Sequence, residues 1–146
     1  MNFVLDASVA LSWLLEDAGA GQAYADSVFE VLKRPSAQAH VPVTWGLEIA
    51  NVIAKSEARG FLLENRTQAF LSALAAAGIF CDPHTGAAAL TETLQLCRRY
   101  RLSSYDASYL ELALRHGLPL ATLDEELRRA ATKAGVKVFK PPKTAR

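Results

Sequence analysis

Four acidic residues, far apart along the chain, are the residues of this sequence best suited to chemistry. Asp6 and Asp124 each end an apolar run typical of a strand, and Asp106 follows two serines. Glu48 stands inside an otherwise apolar segment. If such carboxylates share one cleft, their mutual repulsion raises their pKa values unless a cation neutralises them. Oxygen ligands without Cys or His favour Mg²⁺ or Mn²⁺ over zinc.

A divalent ion held by carboxylates has a natural use in phosphate chemistry. It lowers the pKa of a bound water and stabilises the phosphate during in-line attack. Two ions about 3.5–4 Å apart stabilise both the attacking and the leaving oxygen. The candidate reaction is therefore metal-assisted hydrolysis, with the carboxylates as ligands and one of them as a general base. The three histidines lie in no nucleophile motif, and the chain has no Walker-type or GxGxxG loop, which disfavours nucleotide cofactors.

Each acid also has an ordinary structural interpretation. Asp6 and Asp124 fit helix N-caps, since an Asp side chain accepts from the unpaired N–H groups there. Asp106 fits a capping box with Ser103. Glu48 fits a solvated stripe on a surface helix, although apolar residues nearly encircle that helix. Only the combination of the four favours chemistry.

The predicted elements around these acids alternate short strands with helices. Strands are expected at residues 3–5, 39–41, 79–81, 118–123 and 136–139. Helices are expected at residues 7–15, 21–33, 44–59, 65–77, 103–116 and 124–134, with another that begins near Thr85. Five strands separated by helices predict a parallel sheet in a three-layer α/β/α sandwich, with residues 44–77 as an inserted helical hairpin.

This fold predicts a common location for the acids. Parallel strands end at one edge of their sheet, and ligands bind in the crevice outside that edge. Asp6 and Asp124 belong to that edge, and the start of the Asp106 helix is compatible with it. In the helix over 44–59, the expected buried stripe consists of Leu47, Ala50 and the pair Ile53 and Ala54. Two tryptophans and one tyrosine are expected in the core rather than as stacking platforms for bases, namely Trp13, Trp45 and Tyr105.

Length and composition bound the class of protein. A chain of 146 residues is about one domain, expected over 1–140 with 141–146 as a short basic tail. The 51% hydrophobic content excludes a disordered chain. Lys and Arg number 16 against 15 Asp and Glu, but the excess of basic residues lies in the second half. Three arginines there are candidates for RNA phosphate contacts, although basic residues also suit helix C-termini: Arg98, Arg99 and Arg101.

Cysteine usage and hydropathy indicate the compartment. Cys81 and Cys97 form no CxxC pair, which disfavours a structural zinc site and is typical of reduced core residues in a cytoplasmic protein. The longest uncharged apolar stretch, residues 69–81, is shorter than the ~20 residues that a bilayer requires. No membrane association is therefore expected.

With the four acids in place, the chain resembles the PIN-domain ribonucleases, specifically the VapC-like toxins of type II toxin–antitoxin pairs. The resemblance covers nearly the whole length through residues 4–8, 47–51, 104–113 and 118–124. The family's acidic positions fall on Asp6, Glu48, Asp106 and Asp124. Its accessory hydroxyls fall on Ser8 and Thr122.

The resemblance implies a Mg²⁺-dependent endoribonuclease that is usually a homodimer and is held inactive by a cognate antitoxin protein. Two polar residues keep alternative interpretations. Asn51 either orients Glu48 or touches the RNA, or it is a surface amide. Ser8 either bonds to a metal ligand or donates within the first turn of its helix.

Two other functions differ from the nuclease in class. A different Mg²⁺-dependent phosphoryl-transfer hydrolase, such as a phosphatase, commonly has Asp-x-Asp after the first strand, whereas position 8 here is Ser8. A non-catalytic PIN-like module would bind RNA or a partner without turnover, but all four acids are intact.

Overall fold

The computed structural model describes residues 1–16 and 19–143. Its sheet has four parallel strands in the order β3-β2-β1-β4: β1 (Asn2–Leu5), β2 (Gln38–Val41), β3 (Ile79–Cys81) and β4 (Leu120–Ala121). The predicted α/β architecture with a parallel sheet is confirmed.

The predicted fifth strand is not formed, so the expectation of five strands is corrected to four. Val138 makes one isolated parallel bridge to Leu120 in the described chain. Leu120 supplies both hydrogen bonds of that bridge, from its N–H to Lys137 and from Phe139 to its carbonyl. Pairing stops there because β4 is two residues long and the chain after it turns away at Thr122 to form the acidic site.

Eight α-helices occupy the described chain, and six of them agree with the predicted ones to within one residue at either end. They are α1 (Ala7–Leu15), α2 (Gly21–Leu32), α3 (Trp45–Ala58), α4 (Glu64–Ala76), α5 (Thr85–Ala88), α6 (Leu94–Tyr100), α7 (Ser104–His116) and α8 (Glu125–Lys133). A π-helical turn, Ala89–Thr93, divides the helix predicted after Thr85 into α5 and α6. No described helix combines the length and apolarity needed to cross a bilayer.

Both faces of the sheet are covered around β1. Phe3, Val4 and Leu5 are all fully buried, although successive side chains of a strand point to opposite faces. Helix α7 packs across β1, β2 and β4. The ring of Phe139 stacks on Phe3 with 4.1 Å between centroids, which ties the segment after α8 to the first strand.

Helices α3 and α4 each pack against α1, and the buried stripe predicted for α3 is wrong at three of its four positions. Trp45 and Ile49 are buried and Ile53 packs partly against the core, whereas Ala50 and Ala54 are exposed and Leu47 is 72% exposed. Each residue advances about 100° around a helix, so burying Trp45 turns Leu47 to the solvent side. The sequence did not show this orientation because apolar residues occur around most of the helix.

Two smaller predictions about the core are also wrong. Tyr105 is 58% exposed, while Trp45 is buried and Trp13 packs partly against the core as expected. Both cysteines are free, but Cys81 is exposed on β3 at the edge of the sheet, and Cys97 is half-buried. An edge strand is covered on fewer sides than a central one, so apolar flanking residues did not ensure burial.

The end of α7 is anchored by an ion-pair network. Arg115 donates to Asp82, just after β3, at 2.6 Å and to Glu111 at 2.7 Å. Both carboxylates are almost fully buried, and hydrogen bonding to Arg115 lowers the pKa of Asp82. This network fixes α7 at the end opposite Asp106. Of the predicted tail, Pro141, Pro142 and Lys143 line a groove beside α2, and 144–146 lie outside the described residues.

A close backbone approach at Gly78 yields a stability prediction. A Cβ added there would stand 2.6 Å from the carbonyl oxygen of Ala37, whereas one added at Gly46 would meet nothing within 4 Å. We expect Gly78→Ala to lower the free energy of unfolding by about 1–3 kcal/mol. Gly46→Ala, on an exposed helix face, is the control and should raise it by about 0.5–1 kcal/mol. Urea denaturation measures both, and equal effects would contradict the assigned packing.

Candidate active site

Asp6 is the most enclosed acid of the site. It follows β1, is 4% exposed, and occupies the N-cap position of α1 without making a side-chain capping bond. Its Oδ2 instead accepts hydrogen bonds from the hydroxyls of Ser8 and Thr122, each at 2.7 Å. The N-cap interpretation of this carboxylate is therefore wrong, and its orientation is fixed by the two hydroxyls.

The same two hydroxyls join the beginning of the chain to the turn after β4. Ser8 Oγ accepts from the N–H of Leu123 at 3.1 Å, and Thr122 Oγ1 accepts from the N–H of Asp124 at 3.0 Å. Each hydroxyl thus donates to Asp6 and accepts from a backbone amide, which satisfies both of its hydrogen-bonding roles. Of the two interpretations of Ser8, the structure shows the bond to the neighbouring acid.

The other two aspartates stand at helix starts, as predicted. Asp124 caps α8, since its Oδ1 accepts from the N–H of Leu127 at 3.1 Å. Asp106 lies in the first turn of α7 and donates its backbone N–H to Ser103 Oγ at 3.1 Å. Capping and chemistry are compatible here because the cap of α8 uses one oxygen of Asp124, and the cap of α7 uses the backbone N–H of Asp106.

Glu48 is held by Tyr109, a residue that was not predicted from the sequence to belong to the site. Tyr109 is fully buried, donates its hydroxyl to Glu48 Oε1 at 3.2 Å, and accepts from the N–H of Ala7 at 3.3 Å. A signal was available, because Tyr109 follows Asp106 by three residues and therefore shares its helix face. One phenol thus connects α7, α3 and the start of α1.

These residues meet in a single open cleft of about 350 Å³. Its lining includes all four acids together with two of the predicted polar residues: Asp6, Glu48, Asp106, Asp124, Ser8 and Asn51. Thr122 lies beneath it, fully buried. Asn51 is exposed one turn after Glu48, which leaves both of its interpretations open.

Burial and mutual repulsion set the charge of the cleft. Burial raises the pKa of Glu48 to about 7, and the nearby charges of Asp6 and Asp106 add to that rise. Burial also raises the pKa of Asp106 to about 6, with Asp124 and Asp6 contributing. The pKa of Asp6 is raised by burial despite its hydrogen bonds to hydroxyls. The protein alone therefore leaves this negative charge incompletely compensated.

The donor set fits a hard divalent cation. The acids at the cleft offer carboxylate oxygens, and its lining, as far as the structure describes the chain, includes no Cys or His. Among residues 1–16 and 19–143, no group of three or more His, Cys, Asp or Glu side chains is arranged closely enough to hold a metal ion. The four acids therefore line one cleft without forming a metal cage, and what they offer a hard cation is the chemistry of their oxygen atoms.

The predicted arginines lie outside this cleft. Arg98 and Arg99 belong to the last turn of α6, and Arg101 follows it. All three are exposed.

Comparison with known proteins agrees with this architecture. The family model described as "PIN domain" matches residues 3–133. Among solved structures, the crystal structure of PAE2754 from Pyrobaculum aerophilum has a TM-score of 0.63 and 23% identity, over 89% of this chain and 79% of that one. A toxin–antitoxin complex from Klebsiella pneumoniae has a TM-score of 0.54 and 20% identity, over 96% of this chain and 98% of that one.

The search of curated proteins gives no match. At these identities the solved structures are evidence for the fold alone, whereas the family match spans most of the chain and includes all four acids. The chain belongs to the PIN domain family.

Proposed function

We propose that this PIN-domain protein is a Mg²⁺-dependent endoribonuclease whose active site is the acidic cleft. The observation that carries the proposal is the convergence of four carboxylates, from four separate parts of the chain, on one opening. Assembling like charges in a half-buried place is unfavourable, as the raised pKa values of Glu48 and Asp106 show. The best explanation for a fold that keeps these carboxylates together is that they bind a cation, which in turn binds the phosphate of a substrate.

The proposed ligands of the ion are Asp6, Glu48, Asp106 and Asp124. A bound Mg²⁺ ion would lower the pKa of a water molecule and would stabilise the negative charge that develops on the phosphate, and Mn²⁺ could take its place. Asp6 is the fixed ligand, because Ser8 and Thr122 determine the orientation of its carboxylate.

Glu48 is the acid best suited to move a proton. Tyr109 holds its Oε1, so its Oε2 is the oxygen left to face the cleft. With no cation bound, burial raises the pKa of Glu48 to about 7, and the positive charge of a bound ion would lower it, so we propose that Glu48 is ionised at neutral pH and accepts the proton of the attacking water as the general base. Asn51 lies one turn later on α3 and lines the same cleft, and we propose that it contacts the RNA strand or orients this glutamate, with a surface amide as the alternative.

We further propose that the nuclease is a toxin controlled by a cognate antitoxin protein. The likeness to the Klebsiella pneumoniae toxin–antitoxin complex over nearly the whole of both chains supports this. Large apolar side chains on and between α3 and α4 also lack cover, with Leu47 72%, Phe61 79% and Leu63 69% exposed. Such a surface suits an amphipathic partner helix.

The remaining expectations about assembly and compartment belong to the same proposal. We propose a homodimer as the active form, which is the usual state implied by the family resemblance. Free thiols at Cys81 and Cys97 fit a reducing compartment, and we place the activity in the cytoplasm.

The first prediction concerns metal-dependent cleavage. The purified protein should cleave single-stranded RNA with Mg²⁺ or Mn²⁺ and stop when EDTA is added. Asp6→Asn should reduce cleavage at least about 100-fold because it removes a charged ligand whose geometry is fixed. Gel analysis of labelled RNA measures this.

Asp26→Asn, an exposed acid on α2, is the matched control and should cleave like the wild type. Melting temperatures of both variants show whether the fold is kept. Full activity in Asp6→Asn would contradict the ligand role. Metal-dependent RNA binding without any cleavage would favour the non-catalytic module instead.

The second prediction concerns Tyr109→Phe, which removes one hydroxyl and keeps the buried ring. Glu48 and the N–H of Ala7 each lose a partner. We expect Mn²⁺ affinity and kcat to fall about 10–100-fold with little change in KM for RNA. Isothermal calorimetry with Mn²⁺ and steady-state kinetics measure the two effects.

Tyr105→Phe on the same helix is its control, since that side chain is exposed. Equal behaviour of the two variants would show that the hydroxyl of Tyr109 does not position Glu48.

The third prediction concerns toxicity. Induced expression of the wild-type chain in bacteria without a cognate antitoxin should arrest growth, while Asp6→Asn at the same protein level should not. Growth curves with immunoblots measure this. Unimpaired growth with an enzyme that is active in vitro would refute the toxin role and leave the nuclease intact.

A further inference from the structure

A basic groove of about 540 Å³ lies between the end of α6 and the outer side of α8. Four cationic side chains line it, opposed by one acid, Glu126. The cationic residues are Arg99, Arg101, Arg129 and Lys133. All four are exposed, and the groove therefore carries a concentrated positive charge in a protein whose net charge is only +1.

The groove adjoins the acidic cleft. Glu126 lines the groove and is also close enough to Asp106 to contribute to the rise of its pKa. Leu102, on the groove lining, directly precedes Ser103, the residue that caps Asp106. On the other side, α8 is capped by Asp124, which lines the cleft, and the helix contributes Glu126, Arg129 and Lys133 to the groove.

The cations of the groove are not used for internal ion pairs. Within the described chain, none of the four lies within salt-bridge distance of an acid, whereas their neighbour Arg128 pairs with Glu125. Arg129 and Lys133 are spaced by four residues on α8, so they project from one helix face. Their charges are thus available to an anion from outside.

The backbone conformation of Arg101 is a second observation that indicates a function for this groove. It ends α6 in the left-handed region, with φ of 54°, where glycine is the favoured residue. A bulky residue at such a position is strained, and strain of this kind concentrates at functional sites. The sequence thus has an arginine at a position where the backbone conformation favours glycine.

We propose that this groove, named here the α6–α8 groove, binds the sugar–phosphate backbone of the RNA strand beside the bond that is cleaved. This inference rests on the proposed nuclease function, and it specifies where the RNA strand lies outside the acidic cleft. The acidic cleft repels a polyanion, so a strand entering it requires compensating charge nearby, and this border supplies it. Phosphate contacts position a strand without reading bases, so the groove contributes affinity and register and leaves sequence preference to other surfaces.

The assignment separates the three arginines expected from sequence to contact RNA. Arg99 and Arg101 line the groove, whereas Arg98, next to them on α6, does not. Arg98 thus belongs to a matched control in which equal charge is removed outside the groove.

The test uses the full chain carrying Asp6→Asn, to prevent cleavage, and a fluorescein-labelled single-stranded RNA. Anisotropy gives the binding constant over a series of salt concentrations. Arg129→Gln with Lys133→Gln removes two groove charges. Arg98→Gln with Lys137→Gln removes two exposed charges elsewhere. Each lost phosphate contact should reduce the slope of log K against log salt by about 0.7.

We expect the variant with Arg129→Gln and Lys133→Gln to have a slope smaller in magnitude by about 1.4, and to bind poly(U) and poly(A) more weakly by the same factor. The variant with Arg98→Gln and Lys137→Gln should have nearly the same slope and affinity as the Asp6→Asn protein. An equal loss of RNA affinity in the two double variants, or no loss in either, would overturn the proposal that the groove binds RNA. Arg101→Gly provides a second readout, since it should raise the Tm while weakening RNA binding; an unchanged affinity would count against the proposal.

These outcomes are distinct from failure of the nuclease itself. If the unmodified chain does not cleave RNA but the groove pair alone loses binding, the groove stands and the proposed chemistry fails. If the unmodified chain cleaves and the two pairs behave alike, only the groove fails.

Discussion

Repulsion among four carboxylates is the constraint around which this protein is arranged. Asp6 is almost wholly buried, and the two hydroxyls that donate to one of its oxygens offset only part of the cost of burying its charge, since burial still raises its pKa. Those hydroxyls are themselves held by backbone amides, so the support extends into both ends of the chain. The remaining acids are fixed by helices whose placement is secured elsewhere, as α7 is by the pairing of Arg115 with Asp82 and Glu111.

The sequence predicted the parts of this arrangement that follow from chain direction. Asp6 and Asp124 follow strands, parallel strands end together, and the two acids accordingly line one cleft. It could not predict Tyr109, whose partners Ala7 and Glu48 are distant in sequence and become neighbours only through tertiary packing. The Tyr was visible as a helix-face neighbour of Asp106, but a buried tyrosine and a positioning tyrosine have the same spacing.

The other differences have similar causes. Apolar residues surround α3, so its buried side depended on contact with α1 rather than on periodicity, and Leu47 emerged exposed. The last predicted strand has the right composition, yet its partner β4 ends after two residues because Thr122 is required beneath Asp6. In both cases tertiary contacts, rather than the local sequence pattern, determined the outcome.

The bond from Thr122 to Asp6 spans 116 residues of sequence, and this separation bears on how such an enzyme is made. A chain still on the ribosome that has reached only β4 lacks both the hydroxyl that orients the buried aspartate and the acid at position 124. Its first strand and early helices are present without a functional centre. In the proposed nuclease, hydrolysis therefore waits until the last quarter of the chain has been made and has packed against the first strand.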